Sequence, residues 1–138
     1  MPCIVQVVGP SNTGKTASIV AAGRNLRSMG LKVAVMKHTH HEIDVPQKDS
    51  WRFLEEGGVE LVAVVKGRGE RVALFASNLL LSDVLALLKA DVILVEGFKD
   101  LQLGERVLAS AERSIEEVSS EIVSKALLCA PAGRGEDN

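Results

Sequence analysis

The residues with the clearest chemical pattern lie near the start of the chain and read Gly9-Pro10-Ser11-Asn12-Thr13-Gly14-Lys15-Thr16. They match G-x-x-x-x-G-K-[ST], a loop whose backbone N–H groups surround phosphate oxygens. The glycines permit close backbone approach, and a helix predicted to begin at Lys15 adds its positive N-terminal dipole. Lys15, assigned a catalytic role, is expected to reach the β- and γ-phosphates. The predicted nucleotide contacts in this loop are Gly9, Ser11, Asn12, Thr13, Gly14, Lys15 and Thr16.

A loop of this kind works with Mg²⁺, held by the hydroxyl that follows the lysine and by an acid at the end of a neighbouring strand. Thr16 supplies the hydroxyl. The apolar run from Asp91 to Glu96 predicts a buried strand with an acid at each end, about 16 Å apart at ~3.3 Å per residue. Because ligands bind beyond the carboxyl ends of parallel strands, Glu96 is the predicted metal ligand and Asp91 is not.

All three histidines, His38, His40 and His41, lie in a polar loop that follows the second predicted strand. The favoured interpretation is that they bond backbone and substrate groups, with His38 and His40 on the ligand side. The alternative is a transition-metal site completed by Glu42 and Asp44.

Asp49 precedes the second predicted helix and has two interpretations of similar weight. It caps the helix N-terminus, or it either supports the Mg²⁺ ligands or orients the attacking water, which is the catalytic assignment. Lys48 and Arg52 lie one helical turn apart and could meet an anionic substrate, although solvated charges are the commoner outcome.

The elements that position these residues alternate between strand and helix. Strands are predicted at residues 3–8, 32–36, 59–65, 72–75 and 91–95, and helices at 15–29, 50–56, 82–89 and after Ser114. Ser82 is expected to cap its helix, Ser114-x-x-Glu117 reads as a capping box, and residues 72–75 look like a hairpin partner. The predicted fold is α/β of the P-loop NTPase type, a mostly parallel central sheet with helices on both faces and a small β-hairpin.

Length and composition fit one nucleotide-binding domain, residues 1–130, followed by a flexible C-terminal tail, residues 131–138. The net charge of −2 gives no electrostatic reason to expect nucleic acid or a membrane as partner. Cys3 and Cys129 are expected to be buried, reduced thiols. The chain shows neither a leader pattern nor an apolar run of ~18 residues, so a cytoplasmic location is expected.

Four blocks in this order resemble the molybdopterin-guanine dinucleotide biosynthesis protein B (MobB) family. They are Gly9–Thr16, Lys37–His41, Lys48–Ser50 and Val95–Lys99, and the resemblance covers roughly residues 1 to 100. The histidine loop together with Glu-Gly-Phe-Lys is much more selective than the phosphate loop alone. Gln47 stands where the family usually carries glycine, and the part after Lys99 is shorter than usual.

The resemblance implies a homodimeric GTP-binding protein with weak Mg²⁺-dependent GTPase activity. In the family it assists the MobA-type guanylyltransferase that attaches GMP to molybdopterin. Guanine preference rests on this resemblance, since the sequence has no Asn-Lys-x-Asp segment of the kind that many GTPases use to recognise guanine. Without a built-in arginine finger, turnover on the order of 10⁻⁴ to 10⁻² per second is expected, although Arg68 and Arg71 could reach a partner's site.

Two other hypotheses stay open at the level of the sequence. One is a P-loop small-molecule kinase, in which Asp49 or Asp44 would act as the base for an acceptor hydroxyl. The other is a nucleotide-gated binding module without significant hydrolysis, in which the interface matters more than turnover.

Overall fold

The computed structural model describes residues 2–131, and contacts divide the chain into two compact units. The first contains the described parts of Met1–Thr39 and Leu88–Asn138, and the second is His40–Leu87. The prediction of a single domain over residues 1–130 stays a prediction. The predicted flexible tail lies, apart from Pro131, outside the described residues.

Ten elements follow one another along the chain. They are β1 (Cys3–Val8), α1 (Lys15–Ser28), β2 (Val33–Lys37), α2 (Asp49–Glu55), β3 (Leu61–Lys66), β4 (Arg71–Ala76), α3 (Leu81–Leu87), β5 (Val92–Glu96), β6 (Glu105–Leu108) and α4 (Ile115–Cys129). The predicted α/β class, with a mostly parallel sheet, helices and a separate hairpin, is confirmed.

The first unit is built on a four-stranded sheet in the order β2-β5-β1-β6, and each neighbouring pair is parallel. All six residues of β1 are buried, and the strand lies between β5 and β6 in the sheet. Strands covered on both faces are mostly apolar, which fits the run Cys3–Val8 with Gln6 as its one polar residue. The parallel order also brings the carboxyl ends of β1, β2 and β5 to one edge of the sheet.

Helices α1 and α4 pack against each other and against one face of this sheet. From α1 the residues Ile19, Ala22 and Leu26 are buried at three- and four-residue steps, as the sequence predicts. The predicted capping box of α4 is confirmed: Ser114 Oγ accepts the Glu117 N–H, and the Glu117 side chain accepts the Ser114 N–H.

Strand β6 is absent from the sequence-based prediction. It pairs with β1 on the side opposite β5, with Val7 facing Val107 in register. Only Val107 of its four residues is buried, so the short run lacks the continuous apolar character that marks the other strands of this sheet.

The second unit contains α2, the antiparallel hairpin β3–β4 and α3. The predicted pairing across Gly67 and Gly69 is confirmed, with Leu61 opposite Ala76 and Lys66 opposite Arg71. The prediction that Ser82 caps α3 is wrong, because the helix begins one residue earlier, at Leu81.

Cys3 and Cys129 form a disulfide, so the expectation of two reduced thiols is wrong. Their Cα atoms lie 5.3 Å apart although 126 residues separate them. Helix α4 crosses back over the parallel sheet and ends where β1 begins. Cys3 is buried as expected, whereas Cys129 is exposed.

The helices formed by residues 2–131 are between 7 and 15 residues long. None of these helices combines the length and the apolar character needed to cross a membrane.

Candidate functional site

The Gly9–Thr16 loop joins the carboxyl end of β1 to the first turn of α1. Asn12 (φ 61°) and Gly14 (φ 80°) adopt left-handed conformations, and such residues alternating with right-handed ones turn N–H groups toward a common anion site. Position 9 has no room for a side chain, because a Cβ there would lie 2.3 Å from the carbonyl oxygen of Ala109. The loop is thus seated against the segment that follows β6.

The Lys15 ammonium folds back over this loop. It donates hydrogen bonds to the carbonyl oxygens of Gly9 and Pro10, the second at 3.0 Å. The Thr13 hydroxyl donates to the same Pro10 oxygen at 2.7 Å. The positive charge is therefore held against the loop, where an anion bound by the backbone N–H groups would meet it.

Thr16 and Glu96 come together although 80 residues separate them. The Thr16 hydroxyl donates a hydrogen bond to Glu96 Oε1 at 3.2 Å. Hydroxyl and carboxylate oxygens are the hard ligands that Mg²⁺ prefers, so this donor set fits the ion. Asp91 lies at the other end of β5, where its Oδ2 accepts the Lys32 N–H at 2.7 Å.

His38 lies beside the exit of β5. Its backbone N–H donates to the Glu96 carbonyl at 2.9 Å, and its ring stacks on Phe98 with ring centroids 4.4 Å apart. Between them Gly97 has φ 95°, and a Cβ at this position would lie 3.1 Å from the His38 Cβ. The glycine in Glu-Gly-Phe-Lys is therefore needed for the histidine to approach.

Two residues that hold the loop following Glu96 are absent from the sequence-based prediction. Gln6 is fully buried, and its side-chain amide bonds the backbone of residues 97–103. The Arg106 guanidinium donates to the carbonyls of Lys99 and Leu101 at 2.9 and 2.8 Å. A polar glutamine inside an apolar, β-branched strand was the signal that could have revealed the first of them.

The other predicted site residues, His40 and Asp49, belong to the second unit and are exposed. Asp49 is the first residue of α2 and Lys48 is its N-cap, so the capping interpretation of Asp49 is wrong. The start of this helix is held by Asp44, whose Oδ2 accepts the Ser50 hydroxyl at 2.8 Å. The catalytic interpretation of Asp49 stays a prediction.

The transition-metal interpretation of the histidine loop receives no support from the arrangement of side chains. Over residues 2–131, no three histidine, cysteine, aspartate or glutamate side chains are grouped so that they could hold a metal ion.

Comparison with known proteins gives one consistent family. A family model described as Molybdopterin guanine dinucleotide synthesis protein B matches residues 4–128. The chain is 32% identical over 108 residues to the molybdopterin-guanine dinucleotide biosynthesis adapter protein of Escherichia coli (strain K12), covering 71% of this chain and 60% of the relative. It is 31% identical over 104 residues to the Haemophilus influenzae protein of the same name, covering 70% and 57%. The chain therefore spans about three fifths of the length of these relatives.

Solved structures agree with the sequence relatives. The crystal structure of Bacillus subtilis MobB superposes with a TM-score of 0.61 at 29% identity, covering 87% of this chain and 73% of that chain. A MobB homolog from Bacillus stearothermophilus gives a TM-score of 0.55 at 28% identity, covering 86% and 69%. Since the family model spans most of the chain and structures of the family share its fold, the chain belongs to the molybdopterin-guanine dinucleotide biosynthesis protein B (MobB) family.

Proposed function

We propose that this chain binds GTP with Mg²⁺ at the Gly9–Thr16 loop and hydrolyses it slowly, as an adapter in the synthesis of molybdopterin guanine dinucleotide. The observation that carries the nucleotide part is the contact between Thr16 and Glu96. A hydroxyl on the first turn of α1 and a carboxylate at the end of β5 meet at 3.2 Å, next to a loop shaped for phosphate.

Different groups of the chain bind different parts of the Mg²⁺–nucleotide complex. The loop N–H groups and the dipole of α1 bind the phosphate oxygens. Lys15 donates hydrogen bonds to the Gly9 and Pro10 carbonyls, and on nucleotide binding it would donate to phosphate oxygens instead. Thr16 and Glu96 would hold Mg²⁺, which neutralises charge between the phosphates.

Slow turnover is proposed because an arginine next to the loop is already bound by protein groups. Arg113 precedes α4, whose first residue Ile115 packs on Gly14. Its guanidinium donates to the Leu108 carbonyl at 2.7 Å and pairs with Glu121 at 2.8 Å. An arginine so engaged cannot serve the transition state without breaking both contacts, which supports intrinsic rates on the order of 10⁻⁴ to 10⁻² per second.

The role in the pathway is proposed from the family. The relatives carry the name adapter protein, and we extend that role to this chain, with the MobA-type guanylyltransferase and its molybdopterin as partners. A cytoplasmic location belongs to the same proposal. The Cys3–Cys129 disulfide is the feature that argues against this location, since disulfides are rare in a reducing compartment.

A homodimer is also part of the proposal, and the hairpin of the second unit supports it. Within the described residues β3 pairs with β4 alone. A groove of about 700 Å³ lies between α2 and four consecutive β3 residues, Val62, Ala63, Val64 and Val65. Several large apolar side chains of the hairpin are exposed, namely Leu61, Val64, Val65, Val72 and Leu74.

The sequence of β3 is complementary to itself when two copies run antiparallel. Glu60, which directly precedes β3, and the six residues of the strand read Glu60-Leu-Val-Ala-Val-Val-Lys66. A register centred on Ala63 sets Glu60 of each copy opposite Lys66 of the other, on the same face of the sheet. Opposite charges in directly facing positions stabilise strand pairs, so the preferred occupant of this edge is a second copy of the chain.

Calorimetry with GTP, GDP and ATP, each with and without Mg²⁺, tests the nucleotide proposal. GTP is expected to bind more tightly with Mg²⁺. Lys15→Ala should lose binding in both conditions, whereas Glu96→Gln should keep the metal-free affinity and lose the gain from Mg²⁺. Lys32→Ala, at the opposite end of the sheet, and Glu105→Gln, at the start of β6, are matched controls that should bind as the wild type does.

Three outcomes would contradict the proposal. Tight ATP binding without GTP binding would overturn the guanine assignment. Many turnovers per second by the chain alone would overturn slow hydrolysis. Labelled γ-phosphate appearing on a pterin or nucleoside acceptor would favour the kinase hypothesis instead.

A further inference from the structure

A glutamine is buried in the middle of the apolar strand β1. Gln6 has no exposed surface, and its Nε2 lies 2.8 Å from each of three carbonyl oxygens, those of Gly97, Phe98 and Leu101. Its Oε1 accepts the Leu103 N–H at 3.0 Å. The Leu103 donor requires an oxygen, which fixes the orientation of the amide. Both ends of this side chain are therefore used by one segment, residues 97–103.

That segment begins directly after Glu96, and Gln6 holds it in a conformation the chain would not choose alone. Phe98 has φ 57°, a left-handed conformation that is rare for an aromatic residue. Its carbonyl is one of the three oxygens that lie around the two N–H groups of the Gln6 amide, and its ring stacks on His38 at 4.4 Å. The buried amide thus stabilises the turn that sets the ring stack.

Glu96 is consequently held from both sides. The His38 N–H donates to its carbonyl at 2.9 Å, and the next two carbonyls accept from Gln6. In the sheet, Gln6 lies opposite Val95 and Val7 opposite Glu96. The glutamine therefore acts one residue away from the carboxylate, through the backbone that leaves the strand.

We propose that Gln6 is a positioning residue for the metal end of the site: through the turn after Glu96 it fixes the carboxylate opposite Thr16 and the stack of His38 on Phe98. This inference rests on the proposed Mg²⁺–nucleotide binding for its functional part. Its structural part concerns the free protein.

Removal of the amide has a defined physical consequence. In Gln6→Met the shape of the side chain is nearly kept, but the Gly97 carbonyl and the Leu103 N–H lose the buried amide, while the carbonyls of Phe98 and Leu101 keep the Leu101 N–H and the Arg106 guanidinium as donors. Unpaired buried groups favour any rearrangement that reaches water. We expect that rearrangement in the turn at Phe98, whose φ of 57° is unfavourable for an aromatic residue, and Glu96 lies just before this turn.

The first measurement uses the free protein, without nucleotide or metal. Stacking on Phe98 shifts the His38 ring protons in the NMR spectrum, and Gln6→Met is expected to abolish that shift. Ile4→Val, a buried change two residues away on the same side of β1, is the matched control and should retain it. A shift that persists in Gln6→Met overturns the structural part of the proposal.

The second measurement compares GTP affinity with and without Mg²⁺. Mg²⁺ is expected to raise the GTP affinity of the wild type, and Gln6→Met should reduce this increase by about tenfold, as loss of a group supporting a metal ligand typically does. The GTP affinity without metal should stay within about twofold of the wild type. An unchanged gain overturns the positioning role alone. A wild-type chain that gains nothing from Mg²⁺ overturns the proposed metal site, and with it this role.

Gln6→Glu supplies a readout that general loss of stability would not produce. The carboxylate repels the loop carbonyls, but its protonated form can donate to one of them, and burial favours that form. The gain from Mg²⁺ in this variant should therefore recover as pH falls, relative to Gln6→Met measured at the same pH. Identical pH profiles for the two variants would contradict the proposal.

Discussion

At the scale of single residues, the Gly9–Thr16 loop shows how closely residue type follows physical demand. Gly9 faces the Ala109 carbonyl at a distance that no side chain could accept. Lys15 supplies a charge held against the loop, and Thr16 supplies an oxygen beside Glu96. These types were predictable because the pattern is local. The partner residue Gln6 was not, because its role depends on a segment about 90 positions away.

Gln47 is a residue whose type does not match its conformation. It has φ 68°, a left-handed conformation that costs a non-glycine residue about 1–2 kcal/mol. Gln47→Gly should remove that strain, partly offset by the larger entropy of glycine in the unfolded chain. We expect the free energy of unfolding to rise by about 0.5–1 kcal/mol in urea denaturation.

Gln102→Gly is the matched control, since Gln102 is exposed and is not among the residues with positive φ. The same substitution there gives only the entropic cost and should lower stability. Equal effects at both positions would show that the left-handed conformation carries no strain.

At the scale of elements, a charged cluster ties α4 to β6. Glu121 pairs with Arg113 at 2.8 Å and with Lys125 at 3.0 Å. The same two cations donate to the carbonyls of Leu108 and Arg106 in β6. The helix that packs on Gly14 is thereby fixed to the strand that borders β1.

The pH dependence of stability follows from Glu121. Partial burial, the largest single effect, would raise the pKa of its carboxyl, but hydrogen bonds from Lys125 and Arg113 and their charges outweigh burial and lower the pKa. A carboxyl with a lowered folded pKa stabilises the protein above its unfolded pKa and loses that contribution as pH falls through the folded value.

Glu121→Gln should therefore lower the free energy of unfolding by about 0.5–1 kcal/mol at pH 7, and the difference should vanish in acid, below the folded pKa. Denaturation at a series of pH values measures this. Glu112→Gln, in the segment before α4, serves as the comparison. A difference that is constant with pH would mean that packing of the side chain, not its charge, matters.

At the scale of the whole molecule, the disulfide closes the first unit by joining the start of β1 to the end of α4. It bridges 126 positions, and a crosslink over so long a segment restricts the unfolded chain strongly. Cys129→Ser, at an exposed position, should lower the free energy of unfolding by about 2–4 kcal/mol without reductant. With reductant the variant and the wild type should unfold alike, and a wild type indifferent to reductant would argue for free thiols.

Assembly is the other property of the whole molecule, and the charges of β3 test it. Sedimentation should show a dimer that Glu60→Lys weakens about tenfold, because lysines of the two copies would then face each other twice. Adding Lys66→Glu should restore the dimer by reversing both pairs. Glu55→Lys makes the same charge change on α2 and should have little effect. A monomeric wild type, or a double variant as weak as the single one, would rule out this register.

The sequence by itself determined the features that depend on neighbouring residues. Backbone dihedral preferences and the spacing of buried residues act over a few positions. They account for the phosphate-type loop, the buried strand β1, the buried faces of α1 and α4, and the capping box. The placement of Glu96, and not Asp91, at the edge of the sheet that carries Gly9–Thr16 also came from the sequence, because strand direction alone separates the two ends.

Only the tertiary structure decided the contacts that depend on strand order and on how the chain returns. Strand β6 was missed because four residues, of which only Val107 is buried, carry too little pattern, yet the segment that follows this strand lies against Gly9. The disulfide and the hydrogen bonds between Gln6 and the turn after Glu96 join segments far apart in sequence. Local composition cannot encode such pairings, because each depends on which strands become neighbours in the sheet.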